Sequence, residues 1–210
     1  MKKYALGCGG LIILLGVITL IGGCSSYNHL VGLSQGVDSQ WAQVQNQYQR
    51  RSDLVPNLVQ TVSGAANFEK STLTDVIRAR ASATQVQVPA NQAPEAEQLE
   101  RYSQAQNQLS SALSRLLVVV ERYPDLKANA NFRDLQAQLE GTENRITVER
   151  MRFNQVVQSY NTATMRFPTV VWARLMGFVR KAYFQATPGA ETPPKVQFDF
   201  NNSNPAPNRP

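Results

Sequence analysis

The chain has 210 residues, a formal net charge of +6 and 17% charged residues, with two cysteines and one histidine. That length suits one folded domain with extensions. The cations form no basic block interleaved with aromatics, which argues against nucleic-acid binding, and Cys8 and Cys24 both lie within the first 24 residues, so no disulfide staples the folded part.

Residues 1–24 read as a targeting or membrane segment. Lys2 and Lys3 precede an uncharged stretch from Tyr4 to Gly23 with a tight apolar run from Leu11 to Ile21. About 20 such residues suffice to span a bilayer, so one reading is an uncleaved anchor. The other is a signal-peptide core, in which Ile21-Gly22-Gly23-Cys24 resembles a lipoprotein signal and Cys24 is the lipidation candidate. On a plain structural reading Cys24 is a small apolar residue at a helix end. Under either reading Lys2 and Lys3 are the nearest cations, and none follows until Arg50. The positive-inside rule then puts the N-terminus in the cytoplasm and the domain on the non-cytoplasmic side, in the periplasm or at the cell surface.

Beyond the anchor, apolar positions recur in steps of three and four, the rhythm of a helix that lays a seam against other helices. Tyr27, Leu30, Ser34, Val37, Trp41, Val44 and Tyr48 predict a first helix, weakened by Gly32 and Gly36 unless these admit a close neighbour. Gln49 to Pro56 reads as a corner. Arg50 and Arg51 suit a helix C-terminus, Ser52 or Asp53 suits a cap, and Pro56 suits a first turn. A second helix follows to about Ala83 with Leu58, Val62, Ala65, Glu69, Leu73 and Val76 on one face. Thr84 to Pro94 reads as a loop. Pro94-Glu95-Ala96-Glu97 opens a third helix with the seam Leu99, Tyr102, Gln106, Leu109, Leu113, Leu116, Val120 and Tyr123, which Pro124 ends.

The longest seam spans Asn131 to Phe167: Phe132, Leu135, Leu139, Thr142, Ile146, Glu149, Phe153, Val156, Tyr160, Ala163 and Phe167. A helix of that span is roughly 54 Å long at about 1.5 Å per residue, too long for a compact globule. Thr169 to Phe184 is apolar with Arg174, Arg180 and Lys181 interspersed. It predicts either a short helix on the bundle end or a basic amphipathic element on a membrane or partner. Residues 185–210 form a Pro-rich tail expected to be disordered, within which Val196 to Phe200 alternates like a small strand. The predicted fold is all-α: an antiparallel bundle of about four long helices with an N-terminal membrane anchor.

The residues for common chemistries are missing. A histidine-ligated di-metal bundle site needs Glu-x-x-His pairs, and the single histidine, His29, sits beside the anchor. The chain has no phosphate-binding Gly-rich loop, nucleophile elbow or His-Glu-x-x-His. No catalytic residue, metal or cofactor is expected. What stands out is polar residues on or beside the seams: Glu69, Arg80, Gln106, Thr142, Glu143, Asn144, Arg145 and Glu149. Buried polar groups fix register between helices at some cost in stability. Arg50, Arg51 or Arg80 is expected to pair with Glu69, Glu143 or Glu149; the alternative is that these residues lie on solvated faces.

Several segments resemble the LemA family: Ser26 to Val31, Trp41 and Val44, Arg50 to Val59, Tyr123 to Asn129, Phe132 and Leu135, Thr142 to Ile146, Tyr160-Asn161 and Gly177-Phe178. They span roughly 26–184 in the family's order. The resemblance implies a bacterial membrane protein with one N-terminal anchor and an antiparallel helical bundle. It supplies no settled biochemistry, although some relatives are linked to building internal membranes. The family's anchor is usually longer and lacks a cysteine like Cys24, and its short N-terminus is often described as outside, the reverse of what Lys2 and Lys3 predict. The functional expectation is a non-enzymatic envelope scaffold or adaptor with a protein partner of unknown identity. The alternative is a self-assembling, membrane-shaping protein that contacts lipid.

Overall fold

The computed structural model describes residues 2–65, 68–89 and 92–185, with the backbone alone for 2–15 and 18–20. The only regular elements among the described residues are helices, with no strands. In chain order the helices are α1 (Lys2–Ser63), α2 (Lys70–Gln85), α3 (Ala96–Val120), α4 (Pro124–Ala128), α5 (Ala130–Met165) and α6 (Thr169–Leu175). The Pro-rich tail, with its strand-like Val196 to Phe200, lies outside the described residues.

The expected corner at Gln49 to Pro56 is not there. α1 runs straight through it, and the chain turns only after Ser63. Pro56 lacks the N–H that would bond the carbonyl four residues back, that of Ser52. Arg80 of α2 replaces it, its Nε donating to the Ser52 carbonyl at 2.9 Å. A neighbouring helix thus repairs the helix at its proline. Ser52 and Asp53 cap nothing, and the expected first and second helices are largely one rod. Gly32 and Gly36 have open space where a Cβ would stand, so they admit no close neighbour.

α1 and α5 form the long axis of the molecule, antiparallel, with the α2–α3 hairpin beside their distal half. Two apolar clusters result. The distal one contains Val55, Leu58, Val62, Val76, Leu109, Leu116 and Phe132. The proximal one is aromatic, with Trp41 touching Tyr102, Phe153 and Phe184 at ring-centroid distances of 5.4, 5.8 and 6.0 Å. Helix starts follow local chemistry. The Asn129 side chain accepts from the backbone N–H of Asn131 and Phe132, and Gln98 accepts from the Glu95 N–H at 3.3 Å.

The α5 seam holds through Phe153 and then slips. Tyr160 is buried as expected, but Val157 and Thr164 are buried one residue after the expected Val156 and Ala163, Asn161 is buried beside Tyr160, and Phe167 is 82% exposed. A straight α-helix drifts by about 20° per heptad against a 3.5-residue repeat. Over five heptads that is about 100°, the rotation of one residue.

α6 is shorter than the Thr169 to Phe184 segment allowed. It ends at Leu175, and Gly177 takes a positive φ of 76°, a conformation glycine adopts without strain. Residues 178–185 then run back along α5 as a non-helical strap. The Asn161 carboxamide accepts from the Lys181 N–H and donates to the Lys181 carbonyl, both at 2.9 Å. Asn154 does the same for Phe184 at 2.9 and 3.0 Å. Two helical turns between the asparagines, about 10.5 Å, match three residues of extended chain, about 10 Å. Phe184 is thereby set into the Trp41 cluster.

The repair at Pro56 is testable by a double-mutant cycle. Arg80→Met is expected to cost about 1.5–3 kcal/mol in denaturant unfolding, the range for a hydrogen bond to a charged donor. In a Pro56→Ala background the cost should shrink, because the substituted alanine supplies its own N–H. Equal costs in both backgrounds would show that Arg80 acts by packing alone.

Candidate functional site

The polar residues singled out in the sequence do not form one site. Arg51 is the centre. Its side chain is 2% exposed, held between α1, α3 and α5. Nη1 donates to Glu143 Oε2 at 2.8 Å and to Ser110 Oγ at 3.1 Å, and Nη2 donates to the Gln106 carbonyl at 3.0 Å and Gln106 Oε1 at 2.7 Å. Ser110 also donates to Glu143 Oε1 at 3.0 Å. The guanidinium lies 5.1 Å from the Tyr48 ring centroid. Only Arg51 Nε has no partner. The planar fork of arginine suits such a junction, where four acceptor groups from three residues converge in fixed directions.

The other polar residues lie elsewhere. Glu69, just before α2, pairs with Arg122 at 2.9 Å across a solvated surface. Arg80 serves the Ser52 carbonyl. Glu149 accepts from Gln40 at 2.6 Å and pairs with Arg152 at 2.7 Å. Arg50, Arg145 and Asn144 are exposed, and Arg50 and Arg145 flank a shallow groove near Gly141. Thr142 is buried, with its hydroxyl donating to the Gln138 carbonyl at 2.7 Å. Cys24 is exposed.

Sequence reasoning missed Ser110, Asp38, Asn154 and Asn161. Asp38 accepts from the Ala93 N–H at 2.8 Å, which pins the loop before α3. The seven-residue spacing of Asn154 and Asn161 was a readable signal, since it puts two carboxamides on one helix face.

Beside Arg51 lies an open cleft of about 450 Å³ between α1, the end of α2 and α3. Tyr48 and Tyr102 meet edge to face at its floor, ring centroids 5.4 Å apart. Burial pushes the Tyr102 hydroxyl well above its ordinary pKa, and the neighbouring Tyr48 adds to this. Burial also raises Tyr48, against the pull of Arg150 and Arg51. Among the described residues no three His, Cys, Asp or Glu side chains gather as a metal site. The arrangement offers hydrogen bonds and a neutralised charge pair.

The LemA family description matches residues 40–198. The chain is 26% identical over 183 residues to magnetosome protein MamQ 1 of Paramagnetospirillum magneticum, covering 80% of this chain and 67% of that protein. It is 34% identical over 83 residues to magnetosome protein MamQ of Magnetospirillum gryphiswaldense, covering 40% and 30%. It is 24% identical over 144 residues to protein LemA of Metamycoplasma hominis, covering 69% and 62%.

Two outcomes follow for this centre. Glu143→Ala leaves the Arg51 charge buried without its counter-ion. Because Glu143 itself is half exposed, the expected loss in unfolding free energy is about 2 kcal/mol, below the ~3–5 kcal/mol of a fully buried pair. A wild-type denaturation midpoint would exclude a structural role for the pair. Raised tyrosine pKa values favour the protonated native state, so their stabilisation is complete below about pH 10, where unfolded tyrosine ionises, and is lost as pH rises above it. Unfolding free energy should fall above about pH 10, and less steeply in Tyr102→Phe.

Proposed function

Since the chain belongs to the LemA family, we propose that it is a non-enzymatic scaffold of the bacterial envelope, tethered by its N-terminal segment and seated on the lipid surface by α6. One observation carries this reading: the base of the bundle exposes apolar side chains level with the end of the apolar run. Phe167 is 82% exposed, Leu175 74%, Val179 72% and Val171 55%. Arg166, Arg174 and Arg180 are exposed among them. Apolar residues with flanking cations suit an anionic lipid interface.

Trp172 fixes the level of this platform. A Cβ on Gly23 would fall 3.1 Å from its ring carbons, so α6 leans closely on α1 there and a larger residue would push the ring back by a few tenths of an ångström. Tyr27 and Phe178 meet edge to face just beyond, at 5.8 Å. Among the described residues no helix is long and apolar enough to cross a membrane, and most of the Leu11–Ile21 run falls on residues whose side chains lie outside the description. The α1 backbone nevertheless continues past Gly23 for some 20 residues, about 30 Å, the thickness of a hydrocarbon core. That length, with the uncharged run and with Lys2 and Lys3 at its start, supports an anchored chain whose bundle stands on the non-cytoplasmic side.

The distal half would meet a protein partner. Val118 and Ile77 are 71% and 53% exposed there, on the hairpin side of the rod. Self-assembly on the membrane is the second reading, favoured by the same lipid-facing platform and by relatives that are magnetosome proteins.

Quenching in vesicles tests the seating. With the full chain in vesicles containing lipids brominated near the headgroup, Trp172 emission should be quenched, and the quenching should vanish in Trp172→Phe. Buried Trp41 serves as the internal reference. Equal quenching in both proteins would lift α6 off the bilayer and remove the basis of this reading. Cross-linking in intact cells then separates a foreign partner from contacts between copies.

A further inference from the structure

The charges of this chain are unevenly placed. From Met1 to Val37 and from Arg150 to Gln185, the segments that build the base of the rod, there is no Asp or Glu. The second segment carries the cations Arg150, Arg152, Arg166, Arg174, Arg180 and Lys181. Two of these are met by acids from outside both segments, Arg152 by Glu149 at 2.7 Å and Lys181 by Asp38 at 4.0 Å. Arg150 lies over the Phe184 ring, 4.6 Å from its centroid. Among the described residues Arg166, Arg174 and Arg180 have no partner. Cations gathered without a carboxylate create a positive field that draws an anion from outside the chain.

Arg166 differs from the other two because it stands in a groove. The groove has a volume of about 470 Å³ and opens between α1, the end of α5 and the start of α6, with His29, Thr162, Arg166 and Thr169 on its walls. His29, Thr162 and Arg166 are exposed and Thr169 is half-buried, so a ligand can reach them. None of the four side chains has a partner among the described residues. The guanidinium fork matches two oxygens of a phosphate, and the imidazole N–H and the hydroxyls can donate to the rest. No carboxylate lines the groove, so the ammonium of a zwitterionic headgroup would find no counter-ion there. Height identifies the source of the phosphate. His29 lies six residues beyond Gly23 on α1, about 9 Å, and the headgroup layer extends about 5–8 Å beyond the hydrocarbon in each leaflet. The groove therefore opens at the outer edge of that layer, and the long stem of Arg166 lets its charge reach in. We infer that this groove binds the phosphate of an anionic glycerophospholipid whose headgroup carries no cation, such as phosphatidylglycerol. The site rests on the lipid seating proposed above and gives it a headgroup preference.

His29 is the single histidine of the chain, so its imidazole nitrogens report on this groove alone. Solid-state NMR on the full chain in vesicles can read dephasing of labelled imidazole nitrogen by phosphorus. Dephasing is expected in phosphatidylglycerol vesicles. It should be lost in Arg166→Gln and kept in Arg145→Gln, which removes the same charge far up the rod. It should be absent in phosphatidylcholine vesicles, with or without added inorganic phosphate. No dephasing in phosphatidylglycerol, equal dephasing in phosphatidylcholine, or dephasing retained in Arg166→Gln would each overturn the assignment. Dephasing by inorganic phosphate alone would make this a free-anion site and overturn the lipid as its source. Trp172 quenching in vesicles of the same headgroup keeps the two readings apart. Quenching without dephasing strikes this site and leaves the seating, and dephasing without quenching does the reverse.

Discussion

The buried Arg51 guanidinium is the contact on which the middle of this rod depends. It is the point where α1, α3 and α5 are tied by directional bonds. Apolar seams alone hold helices together but tolerate sliding by a turn, because one leucine layer packs much like the next. A planar cation that needs Gln106, Ser110 and Glu143 together admits a single register. The cost is the desolvation of a charge, which Glu143 offsets from a half-exposed position at the rim. The same placement divides the core, with an aliphatic cluster on one side and an aromatic one on the other.

The remaining constraints are also backbone groups satisfied by side chains from other elements. Arg80 supplies the donor that Pro56 lacks. Asn154 and Asn161 pair with the strap as a neighbouring strand would. Trp41 and Gln45 hold the loop carbonyls of Pro89 and Val88. These bonds read main chain rather than sequence, so they let irregular segments pack on long helices without leaving buried polar groups open. They also bring the strap and α6 to the base of the bundle, where apolar and basic side chains face outward together.

In the proposed lipid seating, the helices give the molecule its reach. From Gly23 to Ser63 α1 rises about 60 Å, carrying the distal hairpin and its exposed Val118 away from the base. The cleft sits partway along that length, beside the Arg51 junction, walled by α1 and the hairpin.

The sequence by itself determined the helical class, the positions of α3 and α5, and the family. These follow from local periodicity, helix-start chemistry and motif order, which neighbours in the chain encode. It also brought Arg51 and Glu143 onto one short roster of polar residues but could not choose the pair, because every charge on a seam looks alike until the helices are docked. The tertiary structure alone decided that α1 passes through Pro56, since the repairing donor, Arg80, is 28 residues away from the carbonyl it serves. It likewise decided that the buried face of α5 slips by one residue, because a heptad pattern records spacing but not whether the helix supercoils or stays straight. The strap was legible only in part: the seven-residue spacing of Asn154 and Asn161 marks one helix face, but nothing in that spacing names the extended segment that lies against them.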